Sequence, residues 1–378
     1  MTYDVGINYW PARSAMRWWQ EFDARAFAVD ARVLAEAGCQ SVRVFLRWED
    51  FQPRADQIER TALSDLVTVA DTCAQHGLGL IPTLFTGHMS GANWLPAWAT
   101  EAGPARRFPT VSGERYSDAV PRSWFDDEEI TRAQERLASE AGAALRSHPA
   151  LLAWDLGNEN SNVCFPSTRD AGRAWLARMS GALRAADPSC RVTIGLHMED
   201  LEQARRIGPA DAAEVCDFLC MHGYPLYAPW ARSVTDPALP AFLADVTRWL
   251  GRKDVYFEEF GMPAPAGEED AQDVFIAEAL DLLYESGTTG AMLWCFSDYA
   301  PEIWDRPPFD VAPHERFFGL WRADATAKPA SRHLARYGGV ARKAMPIKEF
   351  EFDRDRFYDA PLANLKQLYE HYTNVAVG

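Results

Sequence analysis

Three features are missing from this 378-residue sequence, and each absence excludes a class of protein. The first residues lead directly into a strand-like segment, without the basic and apolar regions of a signal peptide. No apolar run approaches the roughly 18 residues that a membrane span requires. No segment is rich in Lys and Arg, and the net charge of −16 argues against nucleic acid and anionic membranes as partners. We therefore expect a cytoplasmic protein that binds neither nucleic acid nor membrane.

Cysteine is scattered and odd in number, with seven in the chain. Cys216 and Cys220 lie close together, but no second pair of Cys or His follows at zinc spacing. Reduced thiols in a cytoplasmic protein fit this pattern best, and a secreted domain whose signal has been removed is the alternative. No Gly-x-Gly-x-x-Gly motif follows the first strand-like segment, so the usual nucleotide-binding signature is also missing. We predict no metal and no cofactor.

Short apolar runs are present in number, and each is followed by a helical pattern. They cover residues 5–9, 41–46, 78–84, 151–156, 191–196, 218–222, 255–260 and 291–296. Several are almost continuously apolar, as is typical of parallel strands that are buried on both faces. Eight strands alternating with helices predict an α/β fold, a closed (β/α)8 TIM barrel. An open doubly wound sheet is the alternative.

The helical segments between these runs carry apolar stripes with a period of 3.6 residues. Three stripes are formed by Ile130, Ala133, Leu137, Ala141 and Ala144, by Ala171, Trp175, Met179 and Leu183, and by Phe275, Ala279 and Leu282. We assign residues 1–344 to a catalytic barrel and residues 345–378 to a C-terminal helical extension packed on it.

Two long connections follow strands, at residues 86–127 and 297–323. Both therefore lie on the barrel face that carries active sites, and loops of this length are usually functional. They hold five of the 14 Trp residues, Trp94, Trp98, Trp124, Trp304 and Trp321. Aromatic side chains clustered in loops suggest a surface on which the flat faces of sugars stack.

Charged, polar and aromatic residues stand at the predicted carboxyl end of every strand. They are Asn8, Arg43 with Trp48, His88, Asn158 with Glu159, His197, His222 with Tyr224, Glu258 with Glu259, and Trp294. Because these strand ends meet at one rim of a barrel, the side chains converge there. Two carboxylates from separate strands are the minimum requirement for cleaving a glycosidic bond.

These motifs resemble glycoside hydrolase family 5 and its wider clan of barrel glycosidases, over roughly residues 3 to 340. The clan pattern is matched by Asn158-Glu159 after strand 4 and by Glu259-Phe260-Gly261 after strand 7. The further family 5 positions are matched by Arg43, His88, His222-Gly223-Tyr224 and Trp294. The segments at residues 85–96 and 319–329 resemble the β-mannosidase-type branch of the family.

The resemblance implies a retaining mechanism in which Glu159 is the acid/base and Glu259 is the nucleophile. It implies that the substrate is bound by Arg43, His88, Asn158, His222, Tyr224 and Trp294, and we add Trp48 and Trp94 as candidate substrate-binding residues. Arg43 and Tyr224 are expected to lower the pKa of Glu259, and the charge of Glu259 is expected to raise the pKa of Glu159.

Some assignments among these residues stay open. Strand alternation points Glu258 and Glu259 in opposite directions, so Glu258 is expected to have no catalytic role. His197 and Glu199 contact the substrate or merely make the rim polar. Arg43 is alternatively a buried ion-pair partner of Asp155.

The interpretation that follows is a retaining β-glycosidase, exo-acting on β-linked oligosaccharides and similar to β-mannosidases. An endo-β-mannanase or a cellulase-type endoglycosidase is the alternative activity. A catalytically silent carbohydrate-binding barrel is the alternative of another class, and a metal-dependent barrel hydrolase is the third. The expected partner is an oligosaccharide or glycoside, while the sequence leaves the oligomeric state open.

Overall fold

The computed structural model describes residues 2–375 of the chain, and eight parallel strands form its centre. The strands are β1 (Asp4–Asn8), β2 (Ser41–Arg47), β3 (Gly79–Thr86), β4 (Trp154–Asn158), β5 (Val192–Gly195), β6 (Leu219–His222), β7 (Val255–Phe260) and β8 (Gly290–Leu293). Each overlaps one of the eight apolar runs, and the predicted TIM-barrel fold is confirmed.

The strands are ordered β5-β4-β3-β2-β1-β8-β7-β6, with every ladder parallel. The two ends of this sheet meet through a parallel bridge between His197 and His222 and through the hydrogen bond from His222 N to Leu196 O (2.8 Å). The sheet therefore curves into a barrel that closes between β5 and β6. All eight carboxyl ends point to one rim.

Helices separate the strands and cover the barrel. The longer ones are α1 (Ala24–Glu36), α2 (Arg60–Gln75), α3 (Glu128–Ala144), α4 (Arg169–Ala186), α5 (Pro209–Ala213), α6 (Ala238–Gly251), α7 (Glu269–Glu285) and α8 (Pro361–Val375). Short α-helical turns lie at Trp48–Phe51, Asn160–Val163 and Glu199–Glu202, and 3-10 turns at Ala15–Arg17, Ala97–Ala99, Pro225–Tyr227, Pro301–Ile303, Pro313–Phe317, Pro329–Ala335 and Arg354–Asp359. No helix in the described range is both long and apolar enough to cross a membrane.

Side-chain caps mark several helix starts. The carboxylate of Asp23 accepts the amides of Arg25 and Ala26 ahead of α1, and Asp127 accepts those of Glu129 and Ile130 ahead of α3. Such caps satisfy backbone donors that a helix start leaves free.

The core has two layers. A small cluster fills the lower barrel interior and consists of Ile81, Ala153, Phe218, Cys220, Tyr256 and Met292. A larger layer joins the outer strand faces to the helices. The predicted stripe of α7 is wrong at one position, because Leu282 is 38% exposed whereas Leu283 is buried. The buried stripe of α7 therefore continues from Phe275 and Ala279 to Leu283, one residue later than predicted.

The loop after β3 has more regular structure than its sequence indicates. Short strands at His88–Met89, Ala92–Trp94, Thr110–Ser112 and Arg115–Ser117 form one small sheet, and Thr100–Glu101 pairs with Val120–Pro121. This subdomain stands over the rim and forms one wall of the site.

The C-terminal segment lies against the barrel. Phe357 is buried. The hydroxyl of Tyr369 donates to Asp236, which lies just before α6, and the hydroxyl of Tyr372 donates to Asp245 on α6. Residues 376–378 of the predicted extension lie outside the described residues. The boundary at residue 344 stays a prediction.

Candidate active site

Two carboxylates face each other across the barrel rim, at the ends of β4 and β7. Glu159 follows Asn158 in a left-handed backbone conformation (φ 49°, ψ 47°), which is uncommon for a residue other than glycine and typical of functional sites. Glu259 lies within β7. An oxygen atom of each side chain and a ring nitrogen of His222 all lie within 4.8 Å of one another. Such proximity is compatible with the arrangement of retaining glycosidases, whose carboxyl groups are about 5–5.5 Å apart.

Glu259 is held from two sides by donors. Nη1 of Arg43 lies 2.5 Å from Oε1, and the hydroxyl of Tyr224 donates to Oε2 at 2.9 Å. Arg43 is itself fully buried and is fixed by Asp155 (2.6 Å) and by the amide oxygen of Asn158 (2.9 Å). Arg43 is therefore a buried ion-pair partner of Asp155, and it also binds the carboxylate of Glu259. Its assignment as a substrate-binding residue stays a prediction.

Glu258 does not point away from the site, so the expectation from strand alternation is wrong. Its Oε1 lies 3.3 Å from Nε of Arg43, and its Oε2 lies 3.3 Å from Nε2 of His222. The ladder between β7 and β8 shifts register between Phe257 and Phe260, and the strict two-residue period fails there. Two adjacent glutamates consequently contact one arginine.

Three histidines surround Glu159. The nearest, His222, has Nδ1 3.2 Å from Oε1, while Nδ1 of His197 lies 3.8 Å and Nε2 of His88 lies 4.0 Å from Oε2. The side-chain amide of Asn162 also donates to Oε2 at 2.9 Å. The acid/base candidate therefore has cationic or potentially cationic neighbours on most sides.

The pKa values of the two carboxyls run opposite to the expected order. Burial raises the pKa of Glu259, and the charge of Glu159 adds to this, while His222, Arg43 and Tyr224 oppose the rise without reversing it. Burial also raises the pKa of Glu159, but the surrounding histidines outweigh that effect and hold this pKa below its ordinary value. The two groups interact strongly, so their titration belongs to the pair.

The pKa of His222 shifts in the opposite direction to that of Glu159. Burial lowers the pKa of this imidazole, but the carboxylates of Glu259, Glu159 and Glu258 raise it to about 10. The three carboxylates therefore favour the charged form of this imidazole.

A cavity of about 380 Å³ opens above the two carboxylates. Its walls are formed by His88, Met89, Ser90, Gly91, Arg107, Phe108, Asn158, Glu159, Asn162, His197, Met198, Glu199, His222, Tyr224, Tyr227, Glu259, Trp294, Ala312, His314, Glu315 and Phe318. Seven of the ten candidate residues from the sequence are in this set. Arg43 lies directly beneath it, and Trp294 packs edge-on against Phe45 at the floor.

Trp48 and Trp94 are not brought to the cavity, which corrects their assignment as substrate-binding residues. Trp48 is completely buried, packs edge-on against Trp98 and Trp124, and donates its indole N–H to Gln52 (2.8 Å). Trp94 is also buried and donates its indole N–H to Met89 O (3.2 Å). The loop subdomain covers both rings, so they stabilise the cavity wall and do not contact a ligand in the cavity.

Several lining residues have no counterpart among the sequence candidates. Arg107 and Phe108 come from the loop after β3, Tyr227 from the turn after β6, and His314 and Glu315 from the loop after β8. The length of these loops indicates that they contribute to the site, but no local motif marks the residues. His197 and Glu199, which the sequence leaves open, both line the cavity.

Glu159, His222 and Glu259 are the described residues whose donor atoms could converge on a metal ion. Their atoms have other partners, however. Both ring nitrogens of His222 face carboxylates, and both oxygens of Glu259 bind Arg43 and Tyr224. The negative charges of the two glutamates are thus compensated by Arg43, His222 and the hydroxyl of Tyr224.

The fold and the site together define a class, a (β/α)8 barrel with the carboxylate arrangement of retaining β-glycosidases. A family model described as glycoside hydrolase family 42, beta-galactosidase, matches residues 17–185, a range that includes Glu159 but not Glu259. A rice (Oryza sativa subsp. japonica) protein described as a mannan endo-1,4-beta-mannosidase is 26% identical over 328 residues, 76% of this chain and 63% of that protein.

Solved structures share the fold. A GH5_18 protein from Streptomyces cattleya, solved in complex with Manb1-4GlcNAc, superposes with a TM-score of 0.81 at 22% identity, covering 99% of this chain and 92% of that chain. An exo-beta-1,4-mannosidase from Opitutaceae bacterium strain TAV5 gives 0.76 at 25% identity, covering 89% and 59%. The chain thus spans less than two thirds of the rice and Opitutaceae proteins. The resemblance to family 5 and its β-mannosidase-type branch is confirmed.

Proposed function

We propose that this protein is a retaining β-glycosidase that removes single sugars from β-linked oligosaccharides, in the manner of a β-mannosidase. The observation that carries the proposal is the approach of Glu159 and Glu259 to within 4.8 Å at the floor of a cavity. The mannosidase and mannanase relatives support the substrate class.

In this mechanism Glu159 protonates the leaving oxygen while Glu259 attacks the anomeric carbon and forms a covalent glycosyl-enzyme. Arg43 and Tyr224 orient the attacking carboxylate and stabilise its charge. Glu159, now ionised, then takes a proton from the water that releases the sugar. In this proposal the aromatic face of Trp294 and the amide of Asn158, which both line the cavity, bind the sugar that is being transferred.

Exo action is supported by contacts that join the loops around the cavity. The hydroxyl of Tyr227 donates to Glu315 (2.9 Å) and contacts Nε2 of His314 (2.7 Å), and the hydroxyl of Tyr116 donates to Asp310 (2.7 Å). These bonds connect the loops after β3, β6 and β8. We infer a pocket that accepts a chain end, with the carboxylate of Glu315 as an acceptor for hydroxyls of the terminal sugar.

The roles of the two carboxylates are tested by azide rescue. Glu159→Ala and Glu259→Ala should each reduce hydrolysis of an aryl β-mannoside by at least about 10²-fold. Azide should restore turnover of both, yielding the β-glycosyl azide with Glu159→Ala and the α-anomer with Glu259→Ala. Unchanged hydrolysis in either variant would contradict the proposal. If Glu159→Ala gave the α-azide and Glu259→Ala the β-azide, the acid/base and nucleophile roles would be reversed.

Endo action is favoured by one observation, the description of the rice relative as an endo-mannosidase. A panel of nitrophenyl β-mannoside, β-glucoside, β-galactoside and β-fucoside, run beside mannan, separates the two modes. Monosaccharide release supports exo action, whereas oligomers released from mannan without aryl glycoside cleavage contradict it. Cytoplasmic location stays a prediction, supported by seven free thiols and testable by cell fractionation.

A further inference from the structure

Glu258 lies beneath the cavity and is fully buried. Its two oxygens divide between the two groups that support the catalytic carboxylates. One faces Nε of Arg43 and the other faces Nε2 of His222, each at 3.3 Å. Burial raises the pKa of Glu258, but Arg43 and His222 outweigh this and hold it below the ordinary value. Glu258 is consequently an anion that accepts hydrogen bonds and donates none.

The imidazole of His222 is placed between this anion and the catalytic pair. Its Nδ1 lies 3.2 Å from Oε1 of Glu159 and 3.6 Å from Oε1 of Glu259. A neutral imidazole carries its single proton on one nitrogen, and the partner of that nitrogen selects which one. Because Glu258 only accepts, Nε2 keeps its proton whether the ring is charged or neutral. Nδ1 is then the nitrogen that gains or loses a proton.

We propose that Glu258 is a positioning residue that holds a proton on Nε2 of His222, so that Nδ1 exchanges a proton with Glu159. In the forward step the N–H bond at Nδ1 breaks as an O–H bond forms at Oε1, and Glu159 passes this proton to the leaving oxygen. In the second half of the cycle Glu159 takes a proton from water and returns it to Nδ1. The inference rests on the proposed function, and it provides Glu159 with a proton donor 3.2 Å from its Oε1.

The charged groups that face His222 are the carboxylates of Glu159, Glu258 and Glu259 and the guanidinium of Arg43. Glu258→Gln removes one of three anions while nearly preserving shape. Asp155→Asn is the matched control, since Asp155 is equally buried and binds the same arginine, but forms no hydrogen bond or ion pair with His222. A general effect of a lost buried charge would appear in both variants, and an effect through His222 only in the first.

The first measurement is the titration of His222 by NMR with ring-labelled histidine, assigned with a His222→Gln sample. Glu258→Gln should lower the pKa of His222 by about 1–3 units, and Asp155→Asn should shift it clearly less. Equal shifts in the two variants, or no shift in Glu258→Gln, would overturn the proposal. Should Glu258→Gln fail to fold, the native protein decides: above its pKa, the ring should carry its proton on Nε2, and a proton on Nδ1 would refute the idea.

The second measurement is the dependence on the leaving group. Glu258→Gln should reduce kcat for mono-nitrophenyl β-mannoside by about 10²-fold, since acid assistance is impaired, but should barely affect the dinitrophenyl substrate, whose leaving group needs little protonation. A merely structural role would lower both alike, and that result would sink the proposal. Failure of the proposed function is distinguishable, because it appears as activity surviving in Glu159→Ala and Glu259→Ala, whereas the titration needs no turnover.

Discussion

Removing the hydroxyl of Tyr224, by the substitution Tyr224→Phe, tests the site most directly. This hydroxyl donates to Oε2 of Glu259 at 2.9 Å, and both side chains are buried. A hydrogen bond to a charged group contributes about 1.5–3 kcal/mol. One pKa unit corresponds to about 1.4 kcal/mol, so Tyr224→Phe should raise the pKa of Glu259 by about 1–2 units.

The sign of the effect on activity follows from the role of Glu259. The nucleophile reacts as a carboxylate, and the lost hydroxyl stabilises that ionised form. Raising the pKa therefore moves the acidic limb of the kcat/KM profile to higher pH by the same about 1–2 units. The assay is the initial rate on a nitrophenyl β-mannoside from acidic to mildly basic pH, for native protein and variant.

Tyr227→Phe is the control for this experiment. Its hydroxyl also donates to a buried carboxylate, that of Glu315, but forms no hydrogen bond with Glu259. It should change KM and leave the acidic limb in place. An unmoved limb in Tyr224→Phe, or equal movement in both variants, would show that the reasoning about Glu259 is wrong.

Three other expectations concern the walls and floor of the site. Trp48→Ala should lower the free energy of unfolding in urea by about 3–5 kcal/mol, because the ring is fully buried, and KM at low temperature should be unchanged; a raised KM would return Trp48 to the binding residues. Glu315→Gln should raise KM for oligosaccharides at least about tenfold with a smaller effect on kcat, since it removes an acceptor from the pocket end; equal KM values in steady-state assays would contradict this. Activity should survive dialysis against a chelator, and a loss restored by added metal would reassign Glu159, His222 and Glu259 to an ion.

Local sequence patterns were sufficient to predict which strand ends, and which of their polar residues, meet at the site. The ends of β4 and β7 follow from apolar runs that stop at polar residues, and a parallel barrel places all such ends on one rim. For this reason Asn158, Glu159, His222, Tyr224 and Glu259 were all expected around one cavity, and all line it. Their catalytic and binding roles stay predictions.

Long-range packing decided what local patterns leave open. The side of the sheet that Glu258 faces depends on a register shift between neighbouring strands, and strand alternation alone predicts the wrong side. The burial of Trp48 and Trp94 depends on a loop subdomain that covers them. Likewise, Arg107 and Glu315 come from separate loops that meet only in the folded chain.

The pKa order of Glu159 and Glu259 could not be predicted from the sequence either. Arg43 and Tyr224 were expected to make Glu259 the more acidic group, yet burial and three histidines reverse the order. A pKa depends on desolvation and on distances between groups far apart in the chain, and neither is encoded in local spacing. The sequence by itself determined the barrel and the identities of the paired carboxylates. Only the tertiary structure decided which walls enclose them and which groups shift their pKa values, because both depend on contacts between distant segments.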